Sequence, residues 1–104
     1  MPPLAASRQV ISFGKTYQKS TTLFKAYPNP AKEVVYFNFE VPDAVNNLRI
    51  DITNLMGEHV QTIETPYKKG KLHWDTNNVP NGYYFYQLHD GNKLLSVGKI
   101  AVQH

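Results

Sequence analysis

Apolar positions along this chain recur with a period of two. In Val34-Val35-Tyr36-Phe37-Asn38-Phe39-Glu40-Val41, residues Val35, Phe37, Phe39 and Val41 share one parity. Leu48, Ile50 and Ile52 alternate with Arg49, Asp51 and Thr53. Residues two apart in a strand lie on one face, so each run predicts a half-buried strand. His59 to Glu64 carries Val60 and Ile63, an odd spacing that predicts one slip of phase and a bulge. Leu72 and Trp74 pair in the short run Leu72 to Asp75. An aromatic strand follows at Tyr83 to His89, and Lys93 to Val102 is the final one, with Gly98 expected to mark a bulge. In the aromatic strand Tyr84, Tyr86 and Leu88 share the inward parity, and Tyr83, Phe85 and Gln87 the outward one. A buried Tyr84 then needs a hydroxyl partner, which sandwiches supply at a strand corner.

Turn chemistry separates the runs. Pro42-Asp43-Ala44 follows the first long strand. Asn54-Leu55-Met56-Gly57 suits a type I turn ending in a left-handed Gly57. Lys69-Gly70 reads as a break, which makes Lys68-Lys69-Gly70-Lys71 a solvated hairpin tip. Val79-Pro80-Asn81-Gly82 precedes the aromatic strand, and Asp90-Gly91 is the strongest hairpin dipeptide. Short strands at this spacing, without a helical pattern, predict an all-β antiparallel sandwich. Residues 1–23 break the rhythm and read as a linker or partly ordered arm, in which only Val10-Ile11-Ser12-Phe13 could make a short strand. The single domain is expected over residues 24–104.

Tyr27-Pro28-Asn29-Pro30 is the most distinctive segment. Two prolines lack donors and hold φ near −65°, so the segment cannot run inside a ladder. It predicts a rigid bend entering the first long strand, with Tyr27 anchoring by its ring and Asn29 bonding nearby backbone as in an Asx-turn.

Composition narrows the chemistry. The chain has 104 residues, 41% of them hydrophobic, enough for one modest core. Cysteine is absent, which removes disulfides and thiolate chemistry. The charge of +3 is a mild excess, and the only tight basic group is the lysine cluster around Gly70. A nucleic-acid partner is therefore not expected. His59, His73, His89 and His104 show no i, i+4 or H-x-H spacing and are expected as exposed strand residues, not metal ligands. Asp51, Asp75 and Asp90 are isolated, and neither a G-x-S-x-G nor a Walker-type loop occurs. No catalytic residue, metal or cofactor is expected. Two binding readings compete: a glycan platform on Trp74 or Tyr83, and a polyanion site on Lys68, Lys69 and Lys71.

The order of these landmarks resembles the C-terminal sorting domain of type IX secretion (Por system) cargo in Gram-negative Bacteroidetes. The family shows a YPNP-type entry, a d-x-x-G-x-x-v turn, a W-d element, an l-x-x-G-x-Y-x-x-x-l strand and a K-I/L-V/A-V-like terminal strand. Here these correspond to Tyr27-Pro28-Asn29-Pro30-Ala31, to Asn54 through Val60, to Trp74-Asp75, to Val79 through Leu88, and to Lys99-Ile100-Ala101-Val102. Asn54 stands where the family often has Asp, and Val79-Pro80-Asn81 precedes Gly82 where a small residue is common.

The resemblance implies a seven-stranded Ig-like β-sandwich that works as a secretion signal and not as an enzyme. It implies a cargo domain upstream in the same polypeptide, transit through the periplasm, and recognition by the outer-membrane machinery. A sortase-like protease then usually removes the domain, in the arm before Tyr27, often joining the cargo to anionic lipopolysaccharide. The cargo ends at the cell surface or in the medium. No basic start and long apolar run open the chain at Met1. The expectation is a segment of a longer exported chain, with the domain at its extreme end. Expected site residues are Tyr27, Pro28, Asn29 and Pro30 for the entry, Gly57 and Gly82 for turns, and Tyr84 and Trp74 for the core. Lys99, Ile100, Ala101 and Val102 form the recognition strand. Its edge is expected either to complete the sandwich or to pair with a receptor sheet, and edge pairing between two copies is a further expected contact.

Overall fold

The computed structural model describes residues 22–104; residues 1–21, including Val10 to Phe13 and nearly all of the expected arm, lie outside them. Seven strands are present among the described residues: β1 (Leu23–Tyr27), β2 (Val34–Glu40), β3 (Leu48–Asn54), β4 (His59–Thr65), β5 (Lys69–Asp75), β6 (Gly82–Asp90) and β7 (Lys93–Val102). No helix occurs among the described residues. One sheet has the order β1-β2-β5 and the other β4-β3-β6-β7, with every pair antiparallel. Hairpins join β1 to β2, β3 to β4 and β6 to β7, while the other connections pass between sheets. This is the layered arrangement of an Ig-like sandwich.

The predicted parities hold. Val35, Phe37 and Phe39 of β2, with Val41 just beyond it, meet Leu48, Ile50 and Ile52 of β3 in the core. Trp74 joins them from β5, Tyr84 and Leu88 from β6, and Ile100 and Val102 from β7. Each fully buried aliphatic or Phe side chain contributes about 1.5–3 kcal/mol. Tyr86 crosses the interior to Phe24 and Phe37, with ring centroids 5.2 and 6.0 Å apart.

The tertiary structure revises three local expectations. β1 is a true strand, which places Leu23 inside the domain and not in the arm. Its alternation is weak because its outer face is solvated and only Phe24 and Ala26 pack on the core. Gly70 does not turn the chain. It lies within β5 opposite Phe39, whose ring approaches to 3.5 Å of where a Cβ would stand. No hairpin tip forms there, because β4 and β5 lie in different sheets, and the Val41 amide donates to the Lys68 carbonyl at 2.8 Å, extending the β2–β5 pairing. Gly98 is likewise no bulge. Leu94 faces His89 and Ser96 faces Leu88, so the extra residue is Leu95. Gly98 sits directly opposite Tyr86, and any Cβ there would collide with the Tyr86 ring.

Other local readings are upheld. In β4 the register slips at Val60, between the pairs Ile52–Gln61 and Thr53–His59. The β3–β4 turn closes with the Gly57 amide on the Asn54 carbonyl at 3.0 Å, Gly57 having φ +84°. A side chain at such a φ is strained, so glycine suits the position.

Candidate functional site

The four-stranded sheet ends in β7, and one side of β7 pairs with β6. Its other side is where an incoming strand could add. Near the end of the chain that side is already occupied. The Ala31 amide donates to the Ala101 carbonyl, and the Gln103 amide donates to the Ala31 carbonyl, both at 2.8 Å. Ala31 and Val102 form a parallel bridge, and both are buried. The Asn29 side chain continues the pairing: its Oδ1 accepts from the Ala101 amide at 3.0 Å, and its Nδ2 donates to the Lys99 carbonyl at 3.3 Å. A single amide thus presents an acceptor and a donor as a strand residue would.

This placement corrects the local Asx-turn reading of Asn29. Such a turn needs the amide two residues on, and that amide, Ala31, is committed to Ala101. Pro30 offers no donor in its place. Both peptide bonds preceding Pro28 and Pro30 are cis. Tyr27 anchors the bend from outside the core. Its ring lies against Tyr36 at 5.7 Å, with Lys25 Nζ 5.8 Å from its centroid, and its hydroxyl donates to Asn38 Oδ1 at 3.2 Å.

The chain beyond β7 is tied down as well. The His104 amide donates to Asn81 Oδ1 at 2.9 Å, and its ring Nε2–H donates to the Val79 carbonyl at 2.8 Å. A carbonyl only accepts, which assigns the proton to Nε2. Asn81 belongs to the loop that delivers Gly82, at φ +152°, into β6. In the same loop the Tyr84 hydroxyl donates to the Pro80 carbonyl at 2.6 Å, and burial pushes the phenol upward from its usual pKa. This is the expected corner bond, four residues upstream. Trp74 packs edge-on against Tyr84 at 5.3 Å and is buried, which removes it as an exposed stacking surface. Tyr83 is exposed beside Lys99, whose Nζ lies 4.8 Å from the ring centroid.

A polar network decorates the outer face of the four-stranded sheet. Asp51 accepts from Arg49 Nε and from the Thr62 hydroxyl, both at 2.9 Å, and lies 3.7 Å from His89 Nε2. Burial alone would raise the Asp51 carboxyl, but hydrogen bonds from Arg49 and Thr62 and the nearby Arg49 and His89 charges bring it below its ordinary value. The Thr62 proton points at Asp51, so the contact from His59 Nε2 at 2.8 Å brings its own hydrogen. That arrangement orders a surface and activates no nucleophile. His89 is not the exposed residue expected, since its Nδ1 is buried without a partner and its Nε2 meets Gln87. His59, His73 and His104 are exposed. Among the described residues no group of three or more His, Asp or Glu could hold a metal ion. Lys69 and Lys71 share the exposed parity of β5, with Lys71 Nζ 5.1 Å from the Tyr36 ring centroid, and Lys68 precedes the strand.

The sequence alone brought out Asn29 and the terminal strand but not their union. Ala31, Asn81 and His104 carried no separate signal, because small or common polar residues reveal a partner only when the chain returns to them. A comparison with protein-family models matches residues 25–103 to the secretion system C-terminal sorting domain. Searches of curated proteins and of solved structures returned no match.

Proposed function

The chain belongs to the family of secretion system C-terminal sorting domains, and from that premise we propose that it works without catalysis, read by the export machinery at its terminal strand. The family function is a C-terminal sorting signal for type IX secretion, which directs a cargo across the outer membrane to the surface or the medium. The match over residues 25–103 carries this conclusion, and the fold agrees with it. Membership implies contact with the type IX machinery and a cargo upstream.

The finer reading is as follows. The cargo is in transit through the periplasm when the outer-membrane machinery engages Lys99, Ile100, Ala101 and Val102. Lys99 and Ala101 offer side chains to the outer face, while Ile100 and Val102 anchor the strand in the core. The entry residues Tyr27, Pro28, Asn29 and Pro30 hold the strand in place, and Gly57, Gly82, Trp74 and Tyr84 maintain the frame that presents it. A sortase-like protease cuts N-terminal to Leu23, because β1 is paired with β2 from Leu23 onward and a protease needs an unpaired, extended segment.

The test is a fusion of this chain behind a periplasmic reporter in a type IX-competent host. The reporter is expected at the surface or in the medium, with loss of delivery when residues 99–104 are removed. A full-length fusion retained in the periplasm would overturn the proposal.

A further inference from the structure

Charge is spread unevenly along this chain. Its first acidic residue is Glu33, and before it stand Arg8, Lys15, Lys19, Lys25 and Lys32. The rest is close to balance, with Arg49, Lys68, Lys69, Lys71, Lys93 and Lys99 set against all 8 Asp and Glu. The basic stretch enters the fold at Leu23, on an edge strand of the three-stranded sheet. The register of that sheet gathers more lysines on its outer face. Lys25 and Lys71 flank Asn38 in one row, and Leu23 and Lys69 flank Glu40 in the next. Asp75, on the same face, lies at the far end of β5 and accepts from the Asn77 amide at 2.9 Å. An open groove of about 620 Å³ lies among these residues, with an apolar lining from Leu23, Phe24 and Phe39. Leu23 is exposed, and so is Tyr67, two residues before Lys69.

We propose that this face, with the basic chain that leads into it, is a docking surface for an anionic lipid bilayer. Its lysines select an anionic partner, and the apolar groups select among anions. Lys71 Nζ lies 5.1 Å from the Tyr36 ring centroid and Lys25 Nζ 5.8 Å from that of Tyr27, while the two rings lie against each other. The rings are therefore engaged with lysines and with one another, and offer no platform on which a base or a sugar stacks. An acidic peptide that adds as a strand needs a free edge, whereas these lysines project from a face. The uncovered apolar groups are the Leu23 side chain and the Tyr67 ring, both beside lysines. On a bilayer such side chains enter the interface, and the lysine stems lie along it with their ammonium groups at lipid phosphates. Lys25 and Lys71 stand two strand spacings apart, about 10 Å, so the face meets several headgroups at once.

The inference is tested on the purified chain and does not rest on the secretion reading. Cosedimentation of the full chain compares vesicles of phosphatidylcholine with vesicles that also hold about a third phosphatidylglycerol. Binding is expected to the mixed vesicles, weaker as salt rises, and not to the neutral ones. Lys71→Gln should lower partitioning about fivefold, the share of one lysine at an anionic surface. Lys99→Gln removes the same charge from the outer face of the other sheet and should change it by less than about twofold. Leu23→Ser should weaken vesicle binding at least about threefold and leave binding to dextran sulfate unchanged. All three positions are exposed, and the wild-type comparison needs no variant. Absence of binding to the mixed vesicles, equal binding to the neutral ones, or equal losses in Lys71→Gln and Lys99→Gln overturns the proposal. A Leu23→Ser variant that binds vesicles as wild type does marks a surface for any polyanion and overturns it as well.

Discussion

Single atoms decide much of this molecule's stability. The Tyr84 hydroxyl bonds the Pro80 carbonyl inside a corner packed by Trp74. Tyr84→Phe keeps the ring and loses the bond, so equilibrium denaturation should show a loss of about 1 kcal/mol with an unchanged slope. Gly98 illustrates the opposite constraint, in which an added atom does harm. Gly98→Ala should cost about 1–3 kcal/mol, the usual range for overpacking. The cost should shrink when Tyr86 is also changed to Leu, because the obstacle is the Tyr86 ring; a double-mutant cycle measures this coupling. Asp51 sets a pH dependence. Its folded carboxyl titrates below its ordinary value, so the unfolded chain takes up the proton first as pH falls. Its stabilising contribution is full above the unfolded value near 3.9 and is lost as pH falls through the lower folded value. The stability gap between wild type and Asp51→Asn should be open at about pH 5 and close as pH falls below about pH 4.

At the scale of elements, hairpins are specified locally and edges by distant segments. The β3–β4 hairpin is self-contained. Asn54 Oδ1 accepts from the amides of Met56 at 2.9 Å and Glu58 at 3.0 Å, and its Nδ2 donates to Glu58 Oε1 at 2.8 Å. An Asp there could keep the two backbone bonds but would set a second carboxylate against Glu58. Asn54→Asp should therefore destabilise by about 0.5–1 kcal/mol and Asn54→Ala by more, read from thermal midpoints. The terminal strand is the contrary case. Its outer edge is closed by residues some seventy positions earlier in the chain. Alternation identifies Lys93 to Val102 as a strand but says nothing about which side of it is free.

At the scale of the whole molecule, β1 through β7 share one core drawn from both sheets. The last residues contribute Ile100 and Val102 to it and are tied at Gln103 and His104 to the entry bend and the β5–β6 loop. Removing residues 99–104 therefore strips core as well as edge. The truncated chain should lose its cooperative unfolding transition by circular dichroism. The terminal strand is therefore in place only when both sheets have packed around Ile100 and Val102.

Much of this was legible without coordinates. The parities of β2, β3 and β6, the Asn54–Gly57 turn, the slip at Val60 and the buried Tyr84 all follow from rules that act over a few residues. The ordered set of landmarks was legible too, as a resemblance to the family that spans most of the chain. The misreadings share one cause. Gly70 and Gly98 look like breaks in a one-dimensional pattern, yet each makes room for an aromatic ring from a neighbouring strand, Phe39 in one case and Tyr86 in the other. Asn29 looks like a local turn former, yet its partners lie at the far end of the chain. Side-chain parity and turn preference are properties of short segments, and residue order encodes them directly. Which ring covers a glycine, and which amide closes an edge, depends on surfaces that meet only after the sheets have packed.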